Sequence, residues 1–454
     1  MAFISTNPAT GRRIARHRTQ TLREGRAAVG RAHAAFLRWR FTPLATRTRT
    51  LRAIARILRR ETEPLAALIT AEVGKPLAQA RAEIAKSALG CEFYADHAAR
   101  FLAPELPPGA PADSAVHFAP LGPILAVMPW NFPIWQAMRA VAPALAAGDT
   151  FLLKPAPTTA GCTLALERLL AAAGVPAGVF QTLLIEPPAV ASLLADPRLA
   201  AVTLTGSTRA GRSVAAAAGA AMKPGVFELG GSDAYLVFND ADLDLAVERC
   251  AQSRLINSGQ SCVAAKRFIV TRGVAREFTR RLTTRLAAAR VGDPTDPAIE
   301  VGPLARADLR DQLHDQVKRS VRQGARLLLG GEPLPGPGYF YAPTVLAGVR
   351  PGMAAWNEEL FGPVAAIAEV RDEEAAIAAA NDTAYGLGAA VFTRQRRRAD
   401  RVAARLEAGN VAINDFVRSD PALPFGGVKQ SGHGRELGAW GLRAFVNVKT
   451  ICGR

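Results

Sequence analysis

Four of the five cysteines, Cys91, Cys162, Cys250 and Cys452, sit in apolar periodic stretches that suit a small buried side chain. Cys262 differs, because it ends the run Asn257-Ser258-Gly259-Gln260-Ser261-Cys262, rich in turn-forming residues. A thiol becomes a strong nucleophile when a helix N-terminus or nearby cations lower its pKa. The Val263–Arg267 stretch reads as helical and carries Lys266 and Arg267, so both devices are expected there. The other reading of Cys262 is a buried hydrophobe. Glu228 lies near the end of the apolar run Gly225–Leu229, just ahead of Gly230-Gly231, which suits a general base at a strand's carboxyl end. It could equally cap a helix or sit in an ion pair. Asn131, between Trp130 and Phe132-Pro133, offers an amide donor for a developing oxyanion, or is simply a turn residue. Nucleophile, base and oxyanion donor together make covalent acyl chemistry.

Weaker signals surround these three. In Thr203–Gly211, residues Gly206, Ser207 and Gly211 fall between a strand and a helix, where backbone N–H groups suit a pyrophosphate. The segment lacks the G-x-G-x-x-G spacing, so a plain Gly-rich turn also explains it. Lys154, at the end of Thr150–Lys154, could reach a ribose or lie along the surface. No C-x-x-C pair and no His/Cys cluster with metal spacing occurs, so no metal is expected. An odd, scattered cysteine set points to free thiols in a reducing compartment.

These residues need a scaffold. Residues 20–102 alternate apolar and charged positions at helical spacing, and the Pro/Gly-rich Ala103–Ala112 breaks the pattern before an extended Ser114–Pro120. From residue 122, short apolar strands (124–128, 150–154, 181–185, 200–204 and 225–229) alternate with Ala/Leu-rich helices. That order implies a parallel sheet whose ligands bind beyond the strands' carboxyl ends. A second series begins near Ala234, and Phe445–Ile451 alternates as a terminal arm expected to pair outside its own domain.

A chain of 454 residues exceeds one hydrophobic core, so two or three domains are expected. The formal net charge of +17 invites a nucleic-acid or anionic-membrane reading. The basic residues are nearly all Arg, spread along the chain, and the clusters Arg12-Arg13 and Arg396-Arg397-Arg398 lack interleaved aromatics or a binding motif. A solvated Arg-rich surface, with neither nucleic acid nor membrane as partner, is the expectation. No apolar run nears the ~20 residues that span a bilayer, and residues 1–8 lack a leader's basic start and apolar stretch. A cytoplasmic protein is expected.

The ordered series "NPATG", "PWNFP", "KPA", "TGST", "ELGG", "GQSC", "EELFGPV" and "PFGGVKQSGHGRE" resembles the aldehyde dehydrogenase superfamily over essentially the whole chain. Around Glu228 and Cys262 it looks most like the bacterial succinate-semialdehyde dehydrogenases. The resemblance implies an α/β fold with a Rossmann-type coenzyme domain (1–102 and 122–228), an α/β catalytic domain (229–420) and a small oligomerisation β-ribbon (103–121 and 421–454). It implies Cys262 as nucleophile, Glu228 as base for thioester hydrolysis, and Asn131 with the Cys262 N–H as oxyanion hole. Trp130, Lys154, Gly206, Ser207, Gly211, Glu359 and Phe361 would lie along NAD or NADP, and Glu436 would serve a proton relay. A small aldehyde would be the substrate, and homodimers or homotetramers would form.

Two positions depart from the pattern. Pro157 stands where NAD-selective relatives often carry a Glu that repels a 2′-phosphate, which opens the way to NADP. Arg139 matches one Arg that holds the carboxylate of succinate semialdehyde, a suitable fork for that anion, or is a helix-surface cation. The second such Arg is Ile256 here, with Arg254, Arg418 or Ser419 as candidates to compensate. Rival readings are a CoA-acylating enzyme, disfavoured by a water-activating carboxylate at 228, and a non-catalytic structural or nucleic-acid-binding relative, disfavoured by the intact trio.

Overall fold

A computed structural model describes residues 3–453; Met1 and Ala2, which open the segment read as lacking a leader, lie outside the described residues. The amphipathic N-terminal stretch forms helices Leu22–Trp39, Leu44–Arg60, Thr62–Val73 and Leu77–Phe101. The first begins at Thr21, whose hydroxyl accepts from the Glu24 N–H while the Glu24 carboxylate accepts from the Thr21 N–H, two otherwise orphaned donors satisfied at once. Gly74, with φ +80°, separates the third and fourth; a Cβ there would lie 2.7 Å from Pro303.

The strand–helix alternation folds as expected into a parallel sheet. Its six strands run in the order Gly432–His433, Gly225–Glu228, Ala201–Thr205, Pro123–Val127, Thr150–Lys154, Phe180–Thr182. Only Gly432–His433 is antiparallel, pairing with Phe227 and Glu228. The buried apolar strands pack against the N-terminal helices and Trp135–Ala147, which is buried along its whole length. The second series makes a seven-stranded sheet in the order Arg326–Leu329, Thr344–Ala347, Val364–Val370, Arg267–Thr271, Ala234–Val237, Gly388–Phe392, Asn410–Ile413, with Arg326–Leu329 alone antiparallel.

Three features differ from the sequence reading. Val263–Arg267 is not helical: a turn leads straight into strand Arg267–Thr271, because its alternating apolar residues fill a sheet interior. The C-terminal segment is divided, since Gly432–His433 joins the six-stranded sheet and only Val446–Ile451 leaves it, pairing antiparallel with Ala115–Pro120 as a two-stranded ribbon. A second ribbon, Phe3–Thr6 with Arg13–His17, and strand Thr344–Ala347 carried too little alternation to be read. Among the described residues no helix is long and apolar enough to cross a membrane, and no group of His, Cys, Asp or Glu is placed to hold a metal ion.

Candidate active site

A cleft of about 370 Å³ lies where loops of the two sheets meet, and Trp130, Asn131, Gly206, Ser207, Cys262, Glu359 and Phe361 all line it. Cys262 reaches it from a strained turn. Asn257 and Ser258 have φ of 50° and 56°, left-handed values that cost a non-glycine residue about 1–3 kcal/mol each unless the surroundings hold them. Here they are held. The Asn257 N–H donates to Gln79 Oε1 at 2.7 Å, and its Nδ2 donates to the Asn131 and Gln260 carbonyls at 2.9 and 3.2 Å. The fully buried Arg254 donates to the Gly259 and Ala265 carbonyls, both at 2.7 Å, so it clamps this turn and is closed to any substrate.

Asn131, 4% exposed, donates from Nδ2 to the Gln260 carbonyl at 3.0 Å, and the amide's second hydrogen remains. It therefore shares one backbone carbonyl with the turn that carries Cys262. Lys266 sits beneath this turn, giving Nζ to the Ser261, Cys262 and Ala264 carbonyls and lying 3.6 Å from Glu359. Burial pushes the Cys262 thiol up to about 12, and Lys266 and Arg139 pull it only part of the way back. With no helix starting at 263, the expected dipole is missing and the resting sulfur is a thiol.

Glu228 is outside the lining, directly before Leu229 and Gly230, which are in it. It is 2% exposed, neither carboxyl oxygen has a hydrogen-bond partner, and a Cβ at Gly426 would meet Oε1 at 2.6 Å. Burial and then the Glu436 charge drive its pKa well above the usual carboxylate range, against the pull of Arg139 and Arg435. Glu436, equally buried, is ion-paired with Arg139, and its own pKa is raised by burial.

Arg139 is thus not an open anion anchor in this structure. Only 4% exposed, it is committed to Glu436, donates to Thr205 Oγ1 at 3.2 Å and lies 5.0 Å from the Phe425 ring. Of the compensating candidates, Arg418 is paired with Asp415 at 2.7 Å. Ser419 accepts from Lys86 Nζ at 2.8 Å and from Trp135 Nε1 at 3.1 Å.

The other wall suits a dinucleotide. Ser207 caps helix Thr208–Ala220, accepting from the Ala210 N–H, so the helix's positive end opens on the cleft. A Cβ at Gly206 would make one ordinary contact, with Leu204 at 3.6 Å, which leaves room above the backbone. Phe361 packs edge-on against Trp130 at 5.7 Å, an apolar floor, and Glu359 accepts from the Gly231 N–H at 3.0 Å. Gly211 is outside the lining; a Cβ there would lie 2.4 Å from Leu229, so it serves helix packing. Lys154 is also outside, buried, with Nζ on the Pro155 carbonyl at 2.9 Å and its pKa lowered by burial to about 8. The lining also holds Gln136, Arg209, Gln316 and Tyr385, which sequence reading did not single out as site residues, although Arg209 lies within Thr203–Gly211.

The model of the aldehyde dehydrogenase family matches residues 2–451. The chain is 48% identical over 448 residues to a succinate semialdehyde dehydrogenase [NAD(P)+] of Escherichia coli strain K12, covering 99% of this chain and 97% of that protein. It is 46% identical to succinate-semialdehyde dehydrogenase [NADP(+)] 1 of Mycobacterium bovis BCG, covering 99% of each. The crystal structure of succinic semialdehyde dehydrogenase from Streptococcus pyogenes with NADP+ superposes with a TM-score of 0.96 at 37% identity, covering 99% of both chains. With thiol, amide and dinucleotide-shaped wall gathered in one cleft, the chain belongs to the aldehyde dehydrogenase family.

Proposed function

We propose that this protein oxidises a small carboxylated aldehyde, succinate semialdehyde first, to the acid with NAD or NADP, through a thioester on Cys262. The observation that carries this reading is the meeting of Cys262 and Asn131 with Gly206, Ser207, Glu359 and Phe361 in a single cleft. The names of the relatives above favour the same substrate and both cofactors. Ser207 and the helix it caps would hold the pyrophosphate, Glu359 the ribose hydroxyls, and Trp130 and Phe361 the flat ring; Lys154 would stand by the second ribose. When bound, the nicotinamide supplies a two-electron acceptor for the hydrogen on the aldehyde carbon.

The chain's own residues do the rest. Sγ of Cys262 bonds to the carbonyl carbon as the C=O π pair moves onto oxygen, and the thiol proton passes to solvent water. Asn131 Nδ2 and the Cys262 N–H donate to that oxyanion, an interaction worth about 2.7–4 kcal/mol in such transition states. Loss of hydride leaves a thioester. Glu228 then takes a proton from water as the water oxygen attacks, the C–S bond breaks, and the thiol re-forms as the acid departs. Because both Glu228 oxygens are unpartnered, swinging the carboxyl toward the thioester breaks no hydrogen bond. We assign residues 1–102 and 122–228, joined by strand Gly432–His433, to coenzyme binding, 229–420 to catalysis, and 103–121 with the terminal strand Val446–Ile451 to assembly of a cytoplasmic homodimer or homotetramer.

The test is absorbance at the NADH band across a panel of aldehydes with each cofactor. Reduced cofactor and free acid are expected in equal amounts from succinate semialdehyde, and both vanish in Cys262→Ser. Turnover that survives this substitution, or no reduction with any aldehyde, overturns the reading.

A further inference from the structure

Beneath the turn that carries Cys262 lies one ammonium with two kinds of partner. Lys266 is fully buried, and its Nζ donates to the Ser261, Cys262 and Ala264 carbonyls at 3.0, 2.6 and 3.2 Å. The Ser261 carbonyl and the Cys262 N–H belong to one planar trans peptide, so the two point opposite ways. Holding the carbonyl down on Lys266 therefore turns the Cys262 N–H away from the ammonium. The N–H proposed as oxyanion donor is aimed from below.

The same ammonium reaches the cofactor wall. Nζ lies 3.6 Å from Oε1 of Glu359, and that oxygen also accepts from the Gly231 N–H at 3.0 Å. Among the described residues Glu359 is the one carboxylate within ion-pair distance of Lys266. Its Oε2 lies elsewhere, 2.6 Å from where a Cβ on Gly230 would stand, and Gly230 and Glu359 both line the cleft. One carboxylate oxygen is thus anchored inward while the other is presented outward. The Glu359 backbone has separate support, because Gln316 Nε2 donates to its carbonyl at 3.2 Å. Lys266 governs the carboxylate, not the loop. Burial lowers the Lys266 pKa and raises that of Glu359, and each charge opposes the shift in the other.

We infer that Lys266 is a positioning residue that serves hydride transfer twice from one atom, aiming the Cys262 N–H at the oxyanion and presenting Glu359 Oε2 to the nicotinamide ribose. This rests on the oxidation proposed above. Because both grips share Nζ, the carbon that gives up hydride and the ring that takes it are held in register.

The experiment has one arm without the dinucleotide and one with it. Without it, p-nitrophenyl acetate acylates Cys262 as the ester C–O bond breaks and p-nitrophenolate leaves; this step uses the oxyanion donors and no ribose. With NAD, single-turnover formation of reduced cofactor from succinate semialdehyde reports hydride transfer. In Lys266→Met both steps are expected to slow about ten- to hundredfold, as for a misplacement of about 1 Å. Glu359→Gln should slow hydride transfer alone. Lys266→Gln keeps two donors for the carbonyls and loses the charge, so acylation should return toward the wild-type rate while hydride transfer stays slow. Combining Lys266→Met with Glu359→Gln should slow hydride transfer no further than Lys266→Met does, since the two residues act through one contact. Losses that multiply in the double variant overturn the inference, as does wild-type acylation by Lys266→Met. Should Lys266→Met fail to fold, Lys266→Gln decides, and full hydride transfer there overturns the inference. A wild type that is acylated by the ester yet reduces neither NAD nor NADP with any aldehyde overturns the oxidation itself, and this inference with it.

Discussion

A cysteine proposed as nucleophile, with its pKa pushed up to about 12, looks miscast until its surroundings are counted. Lys266, the nearest cation, has all three donors on backbone carbonyls and steadies the turn more than the sulfur. The thiolate is therefore scarce in the free protein. Alkylation of Cys262 by iodoacetamide should be slow at neutral pH and climb about tenfold per pH unit, with no plateau below pH about 10; an early plateau would reveal an activating group. Glu228 makes the complementary prediction. Its folded pKa is raised, so the protonated form dominates at low pH, and the ionised form that can accept a proton from water appears only as pH rises through the raised value. Thioester hydrolysis should accelerate over that span, while the same ionisation beside Glu436 withdraws stability from the fold. In Glu228→Gln that rise should disappear, and an acyl group should remain on Cys262, visible by intact mass. Turnover by Glu228→Gln with an unchanged pH profile would remove Glu228 as the base. The meeting of Cys262 and Asn131 in one cleft was foreshadowed in sequence because Asn131 follows a strand and Cys262 sits among turn formers. The raised pKa values were not, since burial by Gly426 and Glu436, about 200 residues beyond Glu228, has no local signature.

At the scale of elements, the turn from Ile256 to Cys262 is where the fold stores its local cost. Gly259 has φ +78°, and a Cβ there would lie 2.3 Å from the Gly362 carbonyl carbon and oxygen, both backbone atoms that cannot rotate away. Gly259→Ala should cost more than about 3 kcal/mol by denaturant unfolding, combining left-handed strain with overpacking. A cost under about 1 kcal/mol would show that the turn can relax. Thr150–Lys154 and Val364–Val370 were read from sequence at their observed bounds because they are buried runs, whereas the strand expected at 181–185 is Phe180–Thr182. The segment after Cys262 misled because Val263-Ala264-Ala265-Lys266-Arg267 is good helix composition. Tertiary pairing of Arg267–Thr271 with both Ala234–Val237 and Val364–Val370 overrode that propensity. The pairing of Arg139 was hidden for a similar reason: its partner Glu436 lies near the other end of the chain and is brought beside Glu228 by Gly432–His433.

Over the whole molecule, the charge of +17 is better read as a field than as a docking surface. The densest basic run is partly consumed by the fold itself: Arg396 pairs with Asp400, and Arg398 pairs with Asp240 and Glu373. What remains is a net positive molecule whose cleft is offered to anions, a dinucleotide on one side and, in the proposal above, a carboxylate on the other. Such a field acts over a Debye length of about 30 Å at 10 mM salt and about 10 Å at 100 mM. Raising salt across that range should lower kcat/KM for succinate semialdehyde about two- to tenfold and leave butanal unmoved. An equal fall for both aldehydes, measured at saturating cofactor, would trace the salt effect to something other than capture of the anionic substrate, and the Arg-rich surface would then contribute nothing to that capture.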